Sequence, residues 1–177
     1  LGVVATAFAT VLLPTLSGQF AHRDADGAKA TLVQSVEDVL LLALPAAVGL
    51  ALLSHDVVTV VYQGGAFTAQ DAVHVSRALM CYAPGLLVFS LNKVLTPWFH
   101  AQKDTKTPMQ IALAMVGANL ALNILMVLTL PDGWKHAGIA GSTVVCSLIS
   151  CVWLVRKASQ RNGRMGLRAL AKPALRM

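Results

Sequence analysis

Apolar residues in this chain come in long runs with few or no charges, at lengths that suit helices crossing a membrane. Residues 1–21 and 107–131 contain no charged side chain, and three further runs are almost as apolar. A helix needs about 20 mostly apolar residues to cross the hydrocarbon core of a bilayer. The pattern predicts an all-α polytopic bundle, and the alternative, core helices of a soluble protein, is disfavoured because they seldom run so long without charge. The predicted spans lie near 1–17, 36–54, 78–100, 107–130 and 137–155.

The composition agrees with lipid as the surrounding solvent. The 177 residues are 56% hydrophobic and only 12% charged, whereas a soluble domain carries roughly 25% charged residues. The chain opens inside an apolar run, without an initiator methionine or a basic flank. Together with the odd number of spans, this leads us to expect a piece of a larger protein, with residues 1–157 as its membrane part.

Basic residues are distributed unequally between the two sides of the predicted membrane. The segments 17–35, 101–106 and 156–177 hold eleven lysines and arginines, whereas 55–77 and 131–136 on the other side hold two. Loops rich in lysine and arginine stay in the cytoplasm. The sequence therefore predicts that the first set of segments is cytoplasmic.

Residues 158–177 form a predicted basic cytoplasmic tail, or the lead-in to a further helix. Basic residues near a membrane surface each gain about 1 kcal/mol from anionic lipids, so we expect such lipids to bind the tail. Nucleic-acid binding is disfavoured, because the charge adjoins a span and no recognition motif accompanies it.

Three polar residues inside the spans are candidates for lining a substrate cavity. Lys93 lies two helical turns, about 10 Å, before the predicted cytoplasmic end of its span at His100. Its ammonium either snorkels toward that end or faces a cavity, where it attracts an anionic substrate or pairs with a carboxylate. Asn119 and Asn123 share a helix face, and hydrogen bonding to a neighbouring helix is favoured over lining a wet cavity.

Other patterns describe how the helices bend and pack. Four prolines within three spans predict either bent helices around a cavity or a rigid kinked bundle; they are Pro14, Pro45, Pro84 and Pro97. Small residues recurring every fourth position of the fifth span predict a close helix contact. These are Gly138, Ser142, Cys146 and Ser150.

The helix ends carry their own signals. Lys103, Asp104 and Lys106 predict a tight cytoplasmic turn, after which Thr107 caps the next helix and Pro108 takes its first position. On the opposite side, Thr68 and Asp71 predict a capping box. Glu37 and Asp38 are predicted to lie at a cytoplasmic helix start, where carboxylates complement the helix dipole.

The sequence offers no catalytic constellation. The three cysteines lack metal-ligand spacing, and His55 and His74 lie too far apart for a local metal motif. No nucleophile with a base at a known spacing, no glycine-rich phosphate loop and no carboxylate pair within a span is present. We therefore expect neither an enzyme nor a cofactor or metal site.

Four stretches resemble the lipid II flippase family (MurJ, also called MviN), which belongs to the multidrug/oligosaccharidyl-lipid/polysaccharide exporters. They are "ATVLLPTLS", "VYQGGAFTAQDA", "NKVLTPWFHAQKDTKTP" and "KHAGIAGSTVV", and the resemblance is collinear over residues 1–157. It implies helices 8 to 12 of a fourteen-helix transporter in the bacterial inner membrane. It also implies alternating access and transport of the undecaprenyl-linked peptidoglycan precursor to the outer leaflet.

The resemblance implies two partners, the lipid-linked precursor and the remaining helices of the full-length transporter. It assigns no substrate-contacting residue here, because those of the family lie outside the matched region. Two alternatives stay open: a drug or polysaccharide exporter of the same superfamily, and a non-transporting membrane scaffold for cell-wall enzymes.

Overall fold

Five helices make up the chain in a computed structural model that describes residues 2–62, 67–131 and 134–161. All five are long and apolar enough to cross a bilayer. The predicted all-α bundle of five membrane helices is thereby confirmed. The helices are α1 (Gly2–Ala21), α2 (Ala25–Tyr62), α3 (Ala69–Ala101), α4 (Lys106–Thr129) and α5 (Lys135–Arg161).

The second helix is much longer than its predicted span. With 38 residues it extends about 57 Å, from Ala25 to Tyr62, whereas the predicted span covered only 36–54. Glu37 and Asp38 therefore lie three turns inside α2, and the prediction that they sit at a helix start is wrong. The helix begins early because Ala28, Leu32 and Val36 recur every four residues and are buried, so the polar first turns still present an apolar stripe.

The third helix lies at the centre of the bundle and contacts all the others. Trp98 and Phe99, each 1% exposed, belong to the apolar core between α1, α2, α3 and α5. The ring of Phe20 meets Trp98 edge-on, with 5.1 Å between ring centroids. In contrast, α4 packs mainly on α5 and barely touches α3. Helices α1, α2 and α3 continue without interruption through their prolines.

One end of the bundle carries two turns built in the same way. Arg23 and Lys103 adopt left-handed backbone conformations with φ of 58° and 59°. The next residue, Asp24 or Asp104, donates its backbone N–H to the carbonyl five residues back, at 2.9 Å in both turns. This is the Schellman arrangement, which normally uses glycine at the left-handed position. We call this end the basic end, because it carries Arg23, Lys29, Lys103, Lys106, Arg156 and Lys157.

The aspartate of each turn then caps the following helix. Asp24 Oδ1 accepts from the Gly27 N–H at 2.8 Å, and Asp104 Oδ1 accepts from the Thr107 N–H at 3.0 Å. The prediction that Thr107 caps α4 with Pro108 at its first position is therefore wrong. Helix α4 begins at Lys106, two residues before Pro108, with Thr105 at the N-cap position. The Asp104 carboxylate accepts from the Thr107 backbone N–H in the first turn, where that N–H has no partner within the helix.

At the opposite end, the predicted capping box of α3 is confirmed. Thr68 N–H donates to Asp71 Oδ2 at 2.9 Å, and Asp71 N–H donates to Thr68 Oγ1 at 3.3 Å. Nearby, the Arg77 guanidinium lies 4.9 Å from the ring centroid of Trp134. This contact ties α3 to the segment that precedes α5.

Candidate functional site

Helix α3 exposes a polar strip between α1 and α4, because α4 leans onto α5. Two adjoining grooves share Asn92, Lys93 and Thr96 on this strip. The groove between α1 and α3 has a volume of about 480 Å³, and the groove between α3, α4 and α5 about 740 Å³. We call the two grooves together the cleft.

Lys93 stands on the ridge between the two grooves, and its side chain is exposed. Its Nζ donates to Thr6 Oγ1 at 2.8 Å and to the Gly2 carbonyl at 3.3 Å. Thr6 precedes the end of α1 at Ala21 by 15 residues, about 22 Å along the helix. The amino group is therefore turned into the cleft and away from the basic end, and of the two arrangements left open for Lys93 the snorkelling one is not found.

No carboxylate of the described residues forms an ion pair with Lys93. An ion pair elsewhere joins Lys29 to Asp26, at 3.2 Å on the basic end. Within residues 2–62, 67–131 and 134–161, no group of three or more histidine, cysteine, aspartate or glutamate side chains could hold a metal ion. Besides Lys93 and His100, the side chains that line the cleft are uncharged polar or apolar ones.

The two asparagines of α4 bond to α5, as the sequence favoured, and they also line the larger groove. Asn119 Nδ2 donates to Thr143 Oγ1 at 3.2 Å, and Asn123 Nδ2 donates to Asn119 Oδ1 at 2.8 Å. The Ser142 hydroxyl donates to Asn123 Oδ1. One hydrogen-bonded network therefore joins the two helices and forms part of the wall of the cleft.

The small-residue face of α5 supports this close approach. Ser142 and Cys146 are buried, and a Cβ atom placed on Gly138 would clash with Leu130 at the end of α4. The face acts in packing, as its spacing predicted.

Asn92 contributes to the cleft and was not singled out in the sequence. Its Nδ2 donates to the Ser147 carbonyl at 3.0 Å, which ties α3 to α5. Its Oδ1 is buried and has no hydrogen-bond partner among the described residues. The sequence did carry a signal for Asn92, because it is an amide next to Lys93 within an apolar run.

Threonines of the cleft were also missed. Thr10 lines the α1–α3 groove while its hydroxyl donates to the carbonyl of Ala7 on its own helix. Thr96 lines both grooves, and its hydroxyl donates to the Asn92 carbonyl. Membrane helices often contain threonines bonded in this way, so composition alone does not distinguish them.

The predicted cytoplasmic turn lies apart from the cleft. Lys103 and Lys106 are exposed and line neither groove, and Asp104 caps α4. His100, one turn earlier, marks the end of the α1–α3 groove nearest the basic end.

Comparison with known proteins identifies relatives over nearly the whole chain. The family model described as Lipid II flippase MurJ matches residues 1–176. A probable lipid II flippase MurJ from Rickettsia prowazekii is 37% identical over 147 residues, which cover 83% of this chain and 28% of that protein. One from Rhizobium tropici is 40% identical over 154 residues, 87% of this chain and 28% of that protein.

A solved structure shares the same arrangement of helices. The structure of lipid II flippase MurJ in its inward closed conformation superimposes with a TM-score of 0.80 at 25% identity. The match covers 98% of this chain and 35% of that one. The chain thus spans about three-tenths of the length of the relatives it matches.

Proposed function

This chain belongs to the lipid II flippase MurJ family, and we propose that it works as part of a longer transporter. That transporter would carry the undecaprenyl-linked peptidoglycan precursor from the inner to the outer leaflet of the bacterial cytoplasmic membrane. The substrate, the alternating-access cycle and the role in peptidoglycan biosynthesis all belong to this proposal. The remaining helices of the longer protein would close the cleft, whose open side α1 and α4 leave uncovered.

The Lys93 ammonium in the cleft is the observation that carries the proposal. A charged side chain near the centre of a membrane helix costs about 2.5–3.5 kcal/mol on insertion scales, and no described carboxylate offsets this cost. A cation kept under these conditions suits a substrate that brings its own negative charge. The diphosphate of a polyprenyl-linked sugar has that charge, and its lipid and sugar portions suit the apolar and amide-lined walls.

Neutral polar groups beside Lys93 support the same assignment. Asn119 and Asn123 present amides along the wall of the larger groove. Asn92 lines it too, and its Oδ1 has no hydrogen-bond partner among the described residues. Amides and hydroxyls bind sugar hydroxyl groups without adding charge to the membrane interior. We therefore infer transport, and not catalysis, as the task of this surface.

We also propose that the basic end faces the cytoplasm and contacts anionic lipids. Arg156 and Lys157 are exposed on the last turns of α5, and Arg23 and Lys103 stand at the two turns. Each basic residue near such a surface gains about 1 kcal/mol from anionic headgroups. Residues 162–177 of the predicted tail lie outside the described residues.

Flipping by the natural full-length protein, reconstituted in vesicles, tests the role of Lys93. A labelled lipid-linked precursor that becomes accessible on the far side of the membrane reports the rate. We expect Lys93→Gln to lower this rate about tenfold or more, because a hydrogen bond to a charged group contributes about 1.5–3 kcal/mol. Lys93→Arg keeps the charge and should retain most of the activity.

Lys103→Gln is the matched control, since it removes an exposed lysine outside the cleft. Normal flipping by Lys93→Gln, at the protein level of the wild type, would contradict the assigned role. Normal outer-leaflet precursor after depletion of the full-length protein would reject the flippase itself. A drug-sensitive phenotype with unchanged precursor pools would then indicate an exporter of another substrate. Loss of cell-wall enzymes from the membrane would indicate a scaffold.

A further inference from the structure

We propose that Thr6 is a positioning residue, whose hydroxyl holds the Lys93 ammonium inside the cleft. The significance for transport rests on the proposed function, but the contact itself is tested separately below. Thr6 lies on α1 and Lys93 on α3, 87 positions apart in sequence. Among the described residues, Lys93 is the lysine that lines the cleft, and the Thr6 hydroxyl sets the direction of its side chain.

The three groups involved form a closed triangle of hydrogen bonds. Thr6 Oγ1 donates to the Gly2 carbonyl at 2.7 Å, so its hydrogen is occupied and its lone pairs are available. Lys93 Nζ donates to Thr6 Oγ1 at 2.8 Å and to the Gly2 carbonyl at 3.3 Å. An ammonium has three donors, so one N–H is left for a ligand once both bonds to α1 are made.

Other hydroxyls of α1 behave differently. The hydroxyls of Thr10, Thr15 and Ser17 each donate to a carbonyl of their own helix. Among the described residues, Thr6 is the α1 hydroxyl that also accepts from a charged group on another helix. Thr10 lines the same groove only one turn away, which makes it a close internal comparison.

The lysine needs such an anchor because its own side chain does not fix its position. A lysine has a flexible four-carbon stem and a strongly hydrated head, and near a helix end it snorkels toward water. Helix α3 ends eight residues after Lys93, about 12 Å away. With Thr6 in place the head turns the other way, and a cation held at one position binds an anion without first losing its rotamer freedom.

Amine labelling tests the anchor without reference to transport. The natural full-length protein in membrane vesicles is treated with a water-soluble acylating reagent applied from the side of the basic end. Peptide mass spectrometry then gives the extent of modification at Lys93 relative to exposed Lys103. We expect Thr6→Val to raise this ratio about tenfold, since it removes one of two hydrogen bonds to a charged group.

Two variants separate the hydroxyl from the volume it occupies. Thr6→Ser keeps the hydroxyl and Thr10→Val removes the neighbouring one, so both should leave the labelling ratio within about twofold of the wild type. If Thr6→Val destabilises the protein, Thr6→Ala gives the same comparison with less crowding. An unchanged ratio in both Thr6→Val and Thr6→Ala would overturn the proposal, as would an equal rise in Thr10→Val.

The flipping assay then shows what the anchor contributes. We expect Thr6→Val to raise the KM for the precursor several-fold with little change in kcat, and to have no further effect in a Lys93→Gln background. Additive effects of the two substitutions would mean that Thr6 acts independently of the lysine. Normal flipping by Lys93→Gln would instead reject the proposed function while leaving the labelling result intact.

Discussion

Gly85 on α3 lies directly against Val144 on α5, and an added methyl group there should push the two helices apart. A Cβ atom on Gly85 would lie 2.7 Å from Val144 Cγ2 and 3.0 Å from Phe89 Cε2. Gly85 and Val144 are both buried, and valine has little freedom about χ1. The chain therefore cannot accommodate the methyl group by moving a flexible side chain.

Two opposing terms set the size of the effect of Gly85→Ala. Alanine gains about 1 kcal/mol over glycine in helix propensity, whereas overpacking a tight core costs typically 1–3 kcal/mol. We expect the packing term to dominate, with a net loss of up to about 2 kcal/mol. Gly117→Ala on α4 is the control, because nothing lies within 4 Å of its added Cβ, and it should be neutral or slightly stabilising.

Thermal unfolding of the detergent-solubilised full-length protein measures the difference. Gly85→Ala should lower the midpoint relative to Gly117→Ala, and the loss should shrink when Val144→Ala removes the opposing methyl groups. Equal midpoints for the two glycine variants would refute the reasoning. If Gly85→Ala lowers the midpoint equally in the Val144→Ala background, the added methyl group does not act through its contact with Val144.

Substitutions at three further positions test the core, the turn and the polar network in the same unfolding assay. Trp98→Ala should lower the free energy of unfolding by about 3–5 kcal/mol. Trp98→Phe should lower it much less, because the indole N–H has no partner among the described residues. Equal losses for the two variants would contradict this prediction. Asp104→Ala should lower the free energy of unfolding by about 1 kcal/mol, because a helix cap is lost. Asp104→Asn keeps a capping oxygen and should retain most of that stability. Asn123→Ala should cost about 1–3 kcal/mol, because Ser142 and Asn119 lose their partner; a neutral result would mean that water replaces the amide.

The sequence identified the unusual residues of the cleft better than it identified their contacts. Lys93 stands out because a charge inside an apolar run is visible in one dimension. Its direction is not visible, because the hydroxyl that accepts from it lies on another helix. Asn92 was overlooked for the same reason, since its bond to the Ser147 carbonyl depends on how α3 packs against α5.

Two helix starts show which local signals were readable in the sequence. The capping box at Thr68 and Asp71 was predictable because both partners lie within one turn. At the start of α4, Asp104 and Thr107 were both possible caps. The Asp104 carboxylate accepts from the Thr107 N–H, in a turn whose left-handed residue, Lys103, the sequence did not reveal.

The sequence by itself determined that this chain forms five membrane helices, because hydropathy and bilayer thickness act on each segment locally. Only the tertiary structure decided where α2 begins and ends, since its polar turns are stabilised by packing against neighbouring helices. It also decided that α4 leans on α5 and leaves a cleft beside α3. The position of the Lys93 ammonium depends on that arrangement, because hydrogen bonds between helices form only between residues that the packing has already brought together.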